Sequence, residues 1–146
     1  MKLTKTVKTM LAVALCAVGL SAMAGKMTNV PYVDKDGVEQ KVAEAQVIDS
    51  STTKLTNGGW YVVTGDVTVP ASIYIYSGTA NLILADGATL SAGFIDYDPW
   101  GGAGIEVVAS TTLNIYAQAG GTGALVAQGA DGAAGIGGGV EGAGGT

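Results

Sequence analysis

The stretch Asn81-Leu82-Ile83-Leu84-Ala85-Asp86-Gly87-Ala88-Thr89-Leu90-Ser91-Ala92 decides how this chain is read. It has the form strand, tight turn, strand: apolar residues on both sides of an Asp-Gly pair that favours a sharp reversal of direction. Units of the same kind lie before and after it. Trp60 to Thr64 and Val67 to Val69 flank Gly65-Asp66, with Pro70 as a stop. Ile73-Tyr74-Ile75-Tyr76 alternates cleanly and ends at Ser77-Gly78. Gly104 to Val108, Thr112 to Ala117 and Ala124 to Ala127 come next, separated by Ala119-Gly120-Gly121-Thr122-Gly123 and by the glycine-rich run from Gly129 to Gly135.

Such short, closely spaced strands suit a sandwich, a barrel or a solenoid. Strand shortness, an aliphatic Val, Ile, Leu and Ala interior, and recurrent turns at Gly65-Asp66, Asp86-Gly87 and Asp131-Gly132 favour the solenoid. In that arrangement Val67, Val69, Ile73, Ile75, Leu82, Leu84, Leu90, Ile105, Val107, Leu113, Ile115 and Leu125 are expected to face inward. Ile83 breaks the alternation, so either a covering segment lies over it or the register differs there.

Ahead of the repeats, residues 25–58 have another character. Two strands around Asp34-Lys35-Asp36-Gly37, then a polar connector through Asn57-Gly58-Gly59, read as a hairpin cap over the open end of the repeats. Residues 1–24 have the layout of a secretory signal. Lys2, Lys5 and Lys8 precede the apolar run from Met10 to Leu20, which is too short to span a bilayer. Ala22-Met23-Ala24 supplies the small-x-small cleavage site, with cutting expected after Ala24. Cys16 sits inside the apolar run behind Leu15 and reads as part of the signal, leaving an exported chain without a disulfide.

The blocks Trp60-Tyr61-Val62-Val63 with Gly65, Asn81 to Leu90, Leu113-Asn114-Ile115-Tyr116-Ala117-Gln118, Gly121-Thr122-Gly123 and Ala134-Gly135-Ile136-Gly137-Gly138-Gly139 together resemble the β-helix repeat region of large secreted or surface proteins of anaerobic bacteria, often described as carbohydrate-binding-domain-containing. The resemblance covers roughly residues 30 to 146. It implies an all-β fold: a right-handed, single-stranded parallel β-helix (a solenoid) with an N-terminal β-hairpin cap over 25–58 and rungs over 59–146. In that group further glycine-rich rungs come after the Gly-Ile-Gly-Gly block, whereas this chain stops at Thr146, so a C-terminally truncated coil is the expectation. The group offers no catalytic residues to carry over. This chain departs from it at Gly93-Phe94-Ile95-Asp96-Tyr97-Asp98-Pro99-Trp100-Gly101-Gly102, an enlarged loop where the group passes almost directly between strands.

That loop is the leading candidate for ligand binding. Tyr97 and Trp100 would stack on a sugar ring, and Asp96 and Asp98 would accept bonds from its hydroxyls. Tyr74, Tyr76 and Tyr116 form a second, weaker candidate, an outward aromatic stripe that serves equally well as cover for a neighbouring element. No cofactor is expected. Two acids fall short of the six to eight oxygens that Ca²⁺ prefers, so Asp96 and Asp98 are a thin basis for a metal.

All seven basic residues are Lys, and three of them lie in the expected signal. Four Lys then face twelve acids, and 4 − 12 gives a charge of −8 for the exported part. A surface of that sign repels nucleic acid and anionic headgroups. The expected role is a non-catalytic, secreted or cell-surface module that binds glycans or acts as an adhesin-like stalk, with self-association through open coil ends. The alternative is a polysaccharide lyase or hydrolase of the pectin-lyase-like β-helix type. Without Arg or His, and with Asp96 and Asp98 as the one local pair of acids, its acid–base inventory is poor.

Overall fold

A computed structural model describes residues 22–23, 25–93 and 102–146. The protein is all-β, and no helix occurs among the described residues. Its strands are β1 (Ala22–Met23), β2 (Lys26–Val33), β3 (Glu39–Val47), β4 (Lys54–Leu55), β5 (Trp60–Val63), β6 (Asp66–Val69), β7 (Ile73–Ile75), β8 (Thr79–Leu84), β9 (Thr89–Ala92), β10 (Ile105–Val107), β11 (Thr112–Ala117), β12 (Ala124–Ala127) and β13 (Ile136–Gly137). They form three sheets. The first runs β1-β2-β3-β5-β8-β11, the second β6-β9-β12 and the third β4-β7-β10-β13.

From β5 onward the chain visits the sheets in a fixed rotation, first, second, third, and every strand pairs parallel with its counterparts in the neighbouring circuits. Trp60 lies beside Asn81, which lies beside Asn114. Asp66, Thr89 and Ala124 are equivalent in the second sheet. The links from the second sheet to the third vary in length. The one from Thr89 to Glu106 is about twice as long as the equivalent link from Asp66 to Tyr74. This places the enlarged loop between β9 and β10.

One face of each sheet turns inward onto a common core. Ile73, Ile75, Leu82, Leu90, Val69 and Ile105 are completely buried there, together with Leu55, Tyr61 and Ile48. Each such side chain stabilises the fold by about 1.5–3 kcal/mol. Of the twelve residues expected inside, eight are buried, and Val67, Leu113 and Leu125 are half-buried against the same cluster. Ile115 is the exception, at 43% exposed. It stands in register with buried Leu82, but β11 is the last strand of its sheet, so nothing among the described residues packs over it.

Ile83 faces the other way and is also fully buried. Its cover is the β2–β3 hairpin: Met27, Val30 and Ala45 form a second apolar cluster with Val62 and Ile83. The hairpin also extends the first sheet, because β3 pairs parallel with β5 through Gln46 beside Tyr61 and Val47 beside Val62. Its turn is organised by Asp34, whose carboxylate accepts the N–H of Asp36 and of Val38, both at 2.9 Å, and the side-chain amide of Gln40 at 3.0 Å. Gly37 takes the positive φ of 78° that this reversal needs. The expected signal of residues 1–24 lies outside the described residues apart from β1, which pairs antiparallel with the start of β2.

A further tie joins consecutive turns. The Asp86 carboxylate accepts the N–H of Gly120 at 2.9 Å, and the Gly87 N–H donates to Thr122 Oγ1 at 2.9 Å. Gln118 accepts the Asp86 N–H at 3.1 Å and donates to the Pro31 carbonyl at 3.2 Å, linking these turns to the hairpin.

The Asp34 and Asp49 carboxyls are both held below the ordinary value of 3.8. Hydrogen bonds are the cause: foremost the Val38 N–H for Asp34 and the Ser51 hydroxyl for Asp49. A depressed folded pKa stabilises the fold above the unfolded value, and that contribution disappears as pH falls through the folded one. The melting temperature is therefore expected to fall on acidification below about pH 4, the range in which unperturbed carboxylates protonate. The chain has no His, the side chain that ordinarily titrates between pH 5 and 8. Melting curves of wild type and Asp34→Asn at several pH values check this: the variant should lose part of the acid-dependent decline.

Candidate functional site

The outer face of the third sheet gathers the side chains with most chemistry. Tyr74 alternates outward between buried Ile73 and Ile75 on β7, and Tyr76 comes two residues on, so the two rings share a side. They lie parallel, 4° apart in plane, with centroids separated by 5.2 Å. Tyr76 is 55% exposed. Lys54 stands beside Tyr74 on β4, and its Nζ sits 5.6 Å from the centre of the Tyr76 ring. On the other side, β10 places Glu106 beside Tyr74. Beyond Glu106 comes Gly137 of β13, with no side chain.

Glycines frame the carboxylate. A Cβ at Gly102 would collide with Glu106 Oε2 and come within 3.1 Å of Ser72 Oγ and 3.5 Å of the Tyr74 hydroxyl. One at Gly139 would meet Glu106 Oε2 at 2.9 Å. The bare backbone at both positions lets three oxygens of different character, a carboxylate, an alcohol and a phenol, converge on one spot. Burial, then the neighbouring Tyr74 and Glu106, push the Tyr76 hydroxyl above its ordinary value of 10.0. It therefore stays protonated at neutral pH and both donates and accepts.

Across the strands the face reads cation, aromatic pair, carboxylate, exposed backbone. Tyr74 and Tyr76 stack on each other, and exposed Tyr76 offers an aromatic surface flanked by hydrogen-bonding groups of both kinds, an arrangement able to meet the C–H bonds and hydroxyls of a polyhydroxylated ring. Glycoside hydrolysis needs a second carboxyl about 5–9.5 Å away. No other Asp or Glu occurs on β4, β7, β10 or β13. Among the described residues there is also no group of three or more His, Cys, Asp or Glu able to hold a metal ion.

Tyr116, which the sequence groups with Tyr74 and Tyr76, lies on β11 of the first sheet. It stacks on Trp60 at 5.3 Å and meets Tyr32 of the hairpin edge-on at 4.9 Å, while Tyr32 is 4.8 Å from Trp60. All three are half-buried, and this trio fastens the hairpin over the first sheet. Asp96, Tyr97, Asp98 and Trp100 lie outside the described residues; the chain returns at Gly102, against Glu106 and Tyr74. Lys54 and Glu106 escape a linear reading because their closeness to Tyr74 depends on parallel register across three strands. The available signal was the outward position of Glu106 in Ile105-Glu106-Val107. The chain matches no protein-family model, no curated protein and no solved structure.

Proposed function

We propose that this chain is a non-catalytic, glycan-binding module of a secreted or cell-surface protein, built as a right-handed parallel β-helix with the β2–β3 hairpin as its N-terminal cap. The fixed rotation from β5 onward through three sheets, with parallel pairing throughout that part, supports the coil. The charge pattern and apolar run of residues 1–24 support export. The observation that carries the binding reading is the Tyr74–Tyr76 pair, parallel and partly open to solvent, with Glu106 and Lys54 on its two sides. The chain's likeness to a carbohydrate-binding repeat group in its Trp60, Asn81 and Leu113 blocks points the same way. A saccharide is bound here by stacking and hydroxyl contacts, with no bond made or broken.

A glycan array and then titration calorimetry on the best saccharide test this. Tyr76→Ala is expected to weaken binding by about tenfold, equivalent to 1.4 kcal/mol. Glu106→Gln is expected to shift preference among saccharides that differ in hydroxyl orientation. Because Tyr76 is exposed, its truncation should leave the melting temperature nearly unchanged. Reducing ends or unsaturated products released from any polysaccharide would overturn the non-catalytic reading. Binding insensitive to Tyr76→Ala would remove this face from it.

A further inference from the structure

We infer that the face built on Tyr74, Tyr76 and Glu106 prefers amino sugars, saccharides whose ring carries a free ammonium, to neutral and acidic ones. This deepens the glycan-binding reading and rests on it. The first ground is the distribution of charge along the sequence. From Leu55 to Thr146 there are seven acids and no Lys, Arg or His. Every strand after β4 therefore brings carboxylates to the surface and never a cation. A uronate or sulfated saccharide is repelled by such a surface, and a cationic one is attracted.

The geometry places that attraction at Glu106. Its side chain is half-buried on β10, in register with Tyr74. The ion pairs among the described residues are Lys26 with Glu44 and Lys35 with Asp36, so none of them engages Glu106. Beside its Oε2 lie Ser72 Oγ and the Tyr74 hydroxyl, both within 3.5 Å of the point where a Cβ on Gly102 would stand. A carboxylate only accepts, and both hydroxyls are able to accept. An ammonium has three donors and no acceptor, the complement of this set of oxygens.

The aromatic pair acts in the same sense, because the face of a Tyr ring attracts cations. Lys54 already illustrates this, with its Nζ 5.6 Å from the centre of the Tyr76 ring. Lys54 does not cancel the field of Glu106. The two stand on β4 and β10, on opposite sides of β7, so their backbones are about 10 Å apart. That is about one screening length in ordinary buffer. The Tyr76 hydroxyl, 55% exposed as a residue, is raised above 10.0 by burial, then by Tyr74 and by Glu106, so the carboxylate acts across the open ring.

Titration calorimetry with a short glucosamine oligomer and its N-acetylated counterpart tests this at about pH 6, where the free amine is charged. Acetylation removes that charge and keeps the ring. The wild type is expected to bind the amine form at least about tenfold tighter, a comparison that needs no variant. Glu106→Gln should bring the two ligands to equal affinity. Asp66→Asn removes one charge from an exposed position on β6 of the second sheet and should leave the preference unchanged. Equal affinity of the wild type for both ligands, with both weakened by Tyr76→Ala, would overturn the inference and leave the glycan reading in place. A preference reduced as much by Asp66→Asn as by Glu106→Gln would also overturn it, since overall charge would then be the cause. Spermine bound as tightly as the oligomer would overturn it by showing that the sugar ring adds nothing. Failure of every saccharide to bind would overturn both readings.

Discussion

Leu82→Ala is expected to lower the free energy of unfolding by about 3 kcal/mol, whereas Ile115→Ala, one strand further along the same column, should cost about 1 kcal/mol or less. The two residues are chemically close and stand side by side in register, with Tyr61 on the far side of Leu82. Leu82 is completely buried between those neighbours and opposite the other sheets, so truncation leaves a cavity that stacked strands on both sides cannot close. Ile115 already meets solvent, and its removal forfeits only part of an apolar contact. Domains of this size are stable by about 5–15 kcal/mol in total, so the first change should lower the denaturation midpoint clearly. Chemical denaturation of both variants at low protein concentration checks this. Equal losses would mean that the column is covered beyond β11 after all.

The second large effect concerns backbone packing. Gly93→Ala is expected to destabilise the protein by about 3 kcal/mol or more. Gly93 has a φ of +85°, which side chains other than glycine rarely adopt. A Cβ there would also collide with the Gln128 carbonyl oxygen and lie 2.6 Å from the Gly104 Cα. Neither obstacle is a side chain that can swing away. Gln128 is tied to Ala92 by its N–H at 3.0 Å, and the Gly104 carbonyl accepts the Ile73 N–H at 3.0 Å. The proper control is Gly87→Ala, also at positive φ, where a Cβ has open space around it. That variant bears only the backbone strain, about 1–2 kcal/mol. Thermal melts of the pair separate the two contributions, and a Gly93→Ala protein as stable as Gly87→Ala would contradict the close approach.

Much of the strand pattern was readable because turn chemistry is local. Asp86-Gly87 marks the turn from β8 to β9, Pro70 stops β6, and the alternation of Ile73-Tyr74-Ile75 assigns inside and outside without reference to any neighbour. Ile83 announced a second buried face by breaking that alternation, and the hairpin supplies the cover. What escaped is set by distance along the chain. Parallel pairing brings Lys54, Tyr74 and Glu106 together from three separate strands, and no local rule fixes their register. The same register parts Tyr116 from Tyr74 and Tyr76, although all three share an outward alternation. Ile115 was misplaced because its pattern reports which way it points and says nothing about what lies over it.

The hairpin has a kinetic consequence as well. It contains the one extended pairing of sequence neighbours in the chain's described residues, Val33 with Glu39 through Lys26 with Gln46, while every parallel pairing must first close a much longer loop. Loop closure is an entropic cost met before the contacts that repay it. Such a topology favours the hairpin as nucleus. Once formed, β3 presents a ready template to β5, β5 to β8 and β8 to β11, so structure accretes in the direction of synthesis.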